Sequence, residues 1–208
     1  MNLYDFWSKL PPKTNVHPDD AAFLSASRNT FKTEWRPATP FDGPIYSAKV
    51  VICYANPFFT EQDRNYIETI ANQLKGTEPL PEIPHWLDWY EPRLRTIGRP
   101  LSELRSIVSI FNICPYASNN MTGPDLRVAA GLPSVWTAQK HLREILIPTA
   151  QKGEIFLVIA RKHQLWGITD GFNCPTIGIT RNIGGYLSEG GLGLAIGKWL
   201  SQREKAPL

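Results

Sequence analysis

Four short apolar runs, AKVVICYA from Ala48, SIVSIFNI from Ser106, EIFLVIA from Glu154 and TIGIT from Thr176, are separated by stretches with helical spacing. Strands rich in Val and Ile that alternate with helices are joined by crossovers, not hairpins. The pattern therefore predicts an α/β fold with a mainly parallel four-stranded central sheet covered on both faces, a three-layer α/β/α domain. The 208 residues, 42% of them hydrophobic, are enough for one well-buried core and read as a single domain. In this reading an arm reaching to residue 43, broken by RPATPFDGP, wraps an α/β core over 48–202.

Between the first two runs, Thr60 followed by Asp63 resembles a capping box that opens a helix ending at Gly76. The Pro-rich TEPLPEIPHWLDWYEPRL then offers Trp86, Trp89 and Tyr90 as a packed helix face or a lid. After the second run comes the loop ASNNMTGPD, then a helix capped by Ser134 with Val135, Leu142, Ile145 and Leu146 on one face. LAIGKWLSQ reads as the last helix.

Several function classes are excluded or disfavoured by composition. No run approaches the roughly 20 apolar residues of a membrane span, and MNLYDFWSKLPPK lacks the features of a signal peptide, so the expectation is a cytoplasmic protein with no membrane partner. Cys53, Cys114 and Cys174 stand apart from one another, which predicts reduced, structural thiols and no zinc or redox motif. A formal charge of +3 is compatible with a phosphate-bearing partner and does not demand one. GGLGLAIGKW fails as a phosphate loop, because Leu192 replaces the first required glycine and Trp199 the magnesium-binding hydroxyl residue.

In a parallel sheet the loops that follow the strands gather on one edge, so NPFF, NICPY, ARKHQLW and TRNIGGYLSEGG are expected to share one cleft. That cleft would hold amides, aromatics and basic residues, with no serine-histidine-carboxylate set and no paired carboxylates. Chemistry there must work by positioning water and polar groups.

The order and spacing of CYANPFF, FNICPY, FLVIARKHQLWG and GITRNIGGYLSEGGLGLAIGKWL resemble the uracil-DNA glycosylase superfamily from about Ala48 to Leu200. The resemblance implies a monofunctional DNA glycosylase, with no cofactor, that hydrolyses the N-glycosidic bond of a flipped pyrimidine; the chain is expected to act on DNA as a monomer. Asn56 falls at the water-positioning residue, in a form similar to the mismatch-specific and thymine-glycosylase branch; its carbonyl would orient the water. Phe58 and Phe59 would limit the pocket or stack on the base, Asn112 would read the base edge, and Tyr116 would line the same pocket. Arg161, Lys162 and His163 would meet phosphates.

The fourth loop departs from the family. Where many relatives carry a His-Pro-Ser segment that stabilises the departing base, this chain has Thr180-Arg181-Asn182, which leaves Arg181 or a backbone amide for that work. Asn182, Gly184, Gly185, Tyr186 and Ser188 would contact DNA, with Tyr186 or Leu187 as a wedge. Three cysteines exclude the iron-sulfur members. The long Trp- and Pro-rich insert suits a bulkier base, as in relatives that attack modified phage cytosines in defence. Two other readings stay open at this point: a catalytically inactive DNA-binding module on the same fold, and a hydrolase of free nucleosides or nucleotides.

Overall fold

A computed structural model describes residues 2–168, 173–182 and 184–205. The expected strands form as β2 (Val50–Tyr54), β3 (Val108–Asn112), β4 (Phe156–Ile159) and β5 (Ile177–Ile179), all parallel where they pair. The sheet has five strands and not four. Phe41 and Asp42, in the segment expected to wrap the core, make β1, which pairs antiparallel with β3 at one edge in the order β1-β3-β2-β4-β5. This two-residue strand lies between Pro40 and the Gly43-Pro44 turn, too short to give a period-two signal.

Alternation along the strands divides the core in two. Val51, Cys53, Phe111, Ile113, Leu157 and Ile159 face one cluster; Val50, Ile52, Tyr54, Val108, Ile110, Phe156 and Val158 face the other. Helices cover both faces. On the first lie α1 (Leu3–Trp7), α2 (Pro18–Ala26), α6 (Gly123–Gly131), α7 (Pro133–His141), α8 (Ile147–Gln151) and α9 (His163–Trp166). On the second lie α3 (Ile67–Asn72), α4 (Pro84–Leu94), α5 (Leu101–Leu104) and α10 (Leu192–Lys205).

The Trp-rich insert is α4. Pro84 suits its first turn, where the missing N–H costs nothing, and Trp86, Tyr90 and Leu94, four residues apart, form its buried stripe. Trp89 and Arg93 sit on the adjoining stripe, nearer the carboxyl ends of the strands.

Two local expectations change. Ser134 does not cap α7, because it lies inside the first turn; its N–H donates to Asp20 Oδ1 (3.0 Å), so a carboxylate distant in sequence does the capping. The loop after β3 is partly helical, since α6 opens at Gly123 with Asp125 accepting from the N–H of Thr122 (2.9 Å). Thr60 also receives its return bond, from its own N–H to Asp63 Oδ2 (3.2 Å), and that segment winds through 3₁₀ turns and α3 to a left-handed Gly76. All three cysteines are free, Cys53 and Cys114 buried. No helix among the described residues is long and apolar enough to cross a membrane.

Candidate functional site

The β2–β3 register sets Tyr54 beside Asn112 at the carboxyl ends of the two strands. Asp42 pairs with Ile110, so Asp42, Ile110, Asn112 and Tyr54 project from the same face of the sheet, beneath α4. Between this face and the helix lies a cleft of about 360 Å³ lined also by Asn56, Phe58, Trp86, Trp89, Tyr90, Arg93 and Tyr186. That volume is at the small end of the roughly 300–1,000 Å³ of ligand sites, and its walls are mostly aromatic.

Asn56 stands two residues beyond β2, with Pro57 holding the turn. Its Nδ2 donates to the carbonyl of Pro57 (3.0 Å), to the Ser118 hydroxyl (2.9 Å) and, more weakly, to the carbonyl of Tyr116 (3.4 Å). Two of those partners are carbonyls, which only an NH₂ can satisfy, so the orientation of the amide is fixed. Oδ1 has no hydrogen-bond partner among the described residues. Asn112, the last residue of β3, is buried; its Nδ2 donates to the Thr39 carbonyl (3.1 Å).

The turn that carries Asn56 is braced from beneath. Arg36, 3% exposed, donates through Nη1 to the carbonyl of Phe58 and to Asp63 Oδ2 (2.9 Å), and its guanidinium lies 4.5 Å from the Trp86 ring centroid. Asp63 also accepts from His85 Nε2 (2.7 Å) and Trp86 Nε1 (2.9 Å). Burial alone would raise its pKa, but the Arg36 charge and these hydrogen bonds hold the carboxyl below the usual carboxylate range. Burial in turn lowers the Arg36 pKa, against the pull of Asp63 and Asp42.

Asp42 behaves oppositely. Burial pushes its carboxyl up to about 7, only partly offset by the Arg36 charge and by Tyr90. Burial raises the Tyr90 hydroxyl as well; the Asp42 carboxyl and Tyr90 Oη lie within hydrogen-bonding reach of each other, but among the described residues neither Asp42 Oδ1 nor Tyr90 Oη makes a hydrogen bond of good geometry.

The fourth loop closes the far end. Asn182 folds it on itself: Oδ1 accepts from the N–H of Tyr186 (2.8 Å) and Nδ2 donates to the carbonyl of Tyr186 (2.9 Å). Tyr54 Oη donates to the carbonyl of Gly185 (2.6 Å), and Arg93 Nε to that of Gly184 (3.2 Å). The Arg93 guanidinium lies 4.0 Å from the Trp89 ring and 4.8 Å from that of Tyr186, tying loop to helix. Gly185 has φ +67, and a Cβ there would meet Cε1 of Tyr54 at 2.5 Å, so both backbone and space require glycine.

The structure brings Asn56, Asn112, Phe58 and Tyr186 into one cleft, as the strand-end argument expects. It sends others elsewhere. Phe59 is buried and does not line the cleft. Tyr116 is turned to the opposite face of the sheet, where its hydroxyl donates to Asp20 Oδ2 (2.6 Å) and accepts from the N–H of His17 (3.2 Å). Leu187 is wholly buried and cannot wedge; Tyr186, 38% exposed, remains accessible. Arg181 and Ser188 are exposed outside the cleft lining, and His163 opens α9, its Nε2 buried without a partner.

Gly184 joins Arg161, Lys162, Asn119 and Asn120 in a second, more polar groove that shares Asn56, Phe58, Trp89 and Arg93 with the first. Ile183 of the glycine-rich segment lies outside the described residues. Sequence reasoning missed Arg36 and Asp42, which precede the recognisable α/β rhythm, and Asp63, read only as a cap. Compared with models of known protein families and with curated proteins, the chain matches none.

Proposed function

We propose that this protein is a monofunctional DNA glycosylase of the uracil-DNA glycosylase type, acting on a flipped non-standard or modified pyrimidine. The observation that carries the reading is Asn56: its amide nitrogen is held by the Pro57 and Tyr116 carbonyls and the Ser118 hydroxyl while Oδ1 stays unclaimed at the cleft. A neutral, pre-oriented carbonyl can hold a water against a sugar carbon without itself ionising, the requirement when the C1′–N bond loosens into an oxocarbenium-like sugar. Asn112 lines the same cleft with its Oδ1 left for a base edge, and Phe58, Trp89 and Tyr186 offer aromatic faces for stacking. Arg161 and Lys162 in the adjoining groove suit the flanking phosphates.

The second reading, a binding module that performs no chemistry, draws on one observation: half of the Asn112 amide is already spent on Thr39. Purified protein incubated with duplexes containing uracil, a thymine mismatch, cytosine or 5-hydroxymethylcytosine, with released bases identified by mass spectrometry, separates the two. Release that Asn56→Ala abolishes while DNA binding persists supports the glycosylase; binding without release of any base supports the module.

A further inference from the structure

A glycosylase without the His-Pro-Ser segment needs another group to carry the departing base, and Arg181 lies outside the cleft lining. We infer that Asp42 is that group: a proton-donating acid whose carboxyl meets a ring nitrogen of the bound base. The inference rests on the glycosylase reading above, and it narrows the substrate to bases with a basic ring nitrogen beside an amino group, the cytosine type.

Three observations carry it. Asp42 lines the cleft at 6% exposure, and its buried Oδ1 makes no hydrogen bond of good geometry among the described residues. Tyr90 lines the same cleft, and its buried Oη, within reach of the Asp42 carboxyl, makes no hydrogen bond of good geometry either. Buried polar atoms are almost always paired, so an acid and a hydroxyl that meet each other only in poor geometry beneath a cavity keep hydrogen-bonding capacity that a ligand can complete. The strand register gives the third: Asp42 lies opposite Ile110, and Asn112 is the next residue of β3 on that face, so acid and amide flank one position in the cleft.

The chemistry selects the base. A protonated carboxyl offers one donor and one acceptor, matching the ring nitrogen and amino group of a cytosine edge. As the C1′–N1 bond breaks, its electron pair stays on the base, and the Asp42 proton passes to the ring nitrogen, so the base departs neutral. Water adds to C1′ and yields a proton to solvent; the Asp42 carboxylate recovers one from solvent, and the sum is hydrolysis. A uracil-type base has no basic ring nitrogen and gains little from this acid.

The groups facing Asp42 are Arg36, Asp63 and Tyr90, with His85, Asp88 and Arg93 elsewhere on the cleft wall. Burial keeps the carboxyl protonated to near neutrality.

The test is single-turnover base release across pH from DNA carrying cytosine, 5-hydroxymethylcytosine or uracil, by wild type, Asp42→Asn and Asn56→Ala. Asp42→Asn keeps a donor and an acceptor but has no proton to give. Wild type is expected to release a cytosine-type base, with a rate falling about tenfold per pH unit above about 7. Asp42→Asn is expected to lose roughly 100-fold or more in that rate, to lose the pH dependence, and to bind DNA as wild type does. Release of uracil alone, or an Asp42→Asn profile that overlays wild type, overturns this inference and leaves the glycosylase reading standing. Release of no base by wild type overturns both, and a thermal melt of Asp42→Asn matching or exceeding that of wild type excludes misfolding as the cause of lost release.

Discussion

Replacing Asp42 by Asn should change how stability depends on pH as well as what the cleft can do. The carboxyl is pushed up to about 7 in the folded protein against 3.8 for the ordinary group, so between those values the folded chain binds a proton that the unfolded chain does not. Stability contributed by this proton is fully present below the unfolded value and is lost as pH rises through the folded one. At about 1.36 kcal/mol per unit the whole span is worth on the order of 4 kcal/mol, of which roughly 3 kcal/mol falls between about pH 4.5 and about pH 8. Urea unfolding of wild type and Asp42→Asn at a series of pH values reads this directly, because subtracting the two curves cancels every group they share. The difference should slope across the acid range and flatten above about pH 7. Parallel curves would show that Asp42 is an ordinary carboxylate in the folded state, and the argument from its burial would be refuted.

Other consequences are equally direct. Arg36→Met leaves Asp63 buried and short of its cation, and Asp63→Asn does the converse; each should cost about 3–5 kcal/mol, the double variant falling short of the sum by at least about 1 kcal/mol in denaturant titrations. Asp63, held below the usual carboxylate range, contributes stability that is present above its unfolded value and is lost as pH falls through the folded one. Acid unfolding of wild type should therefore steepen below about pH 4, and Asp63→Asn should remove that component. Tyr54→Phe removes the bond to Gly185 at a cost of about 1 kcal/mol and should speed hydrogen exchange in the fourth loop. Gly185→Ala should be worse than Gly98→Ala by roughly 1–3 kcal/mol in thermal melts, since both have positive φ but only Gly185 has a ring in the way.

The legible part of this fold was the part written in long periods. Four β-branched runs ending in Asn-Pro, Asn, Ala-Arg and Thr announced four parallel strands, and the rule that ligands gather at their carboxyl ends placed Asn56, Asn112 and Tyr186 together. Tyr116 misled because it follows Asn112 closely in the chain, yet the Cys114-Pro115 turn carries it to the other core, where Asp20 and His17 satisfy its hydroxyl. Phe59 misled through its neighbour: of two adjacent aromatics after a turn, one is exposed and the other buried. Asp42 and Arg36 carried no local signal, because a lone acid before Gly-Pro and a lone arginine before Pro are ordinary turn chemistry, and only long-range pairing with β3 and Asp63 gives them meaning.

The antiparallel edge strand also sets an order of assembly. β2, β3 and β4 are each joined to the next by a crossover, but β1 reaches β3 only after the chain has closed a loop of some sixty-odd residues, with Ser109 Oγ donating to the Asp42 carbonyl across a separation of 67 positions. Two residues of ladder return little against that entropy, so this contact is expected to form after β2 and β3 have paired and shortened the loop it must close. Until it forms, the cleft has aromatic walls and the Asn56 amide but lacks the Asp42 carboxyl at its floor, so the lining of the cleft is complete only once the edge strand has docked.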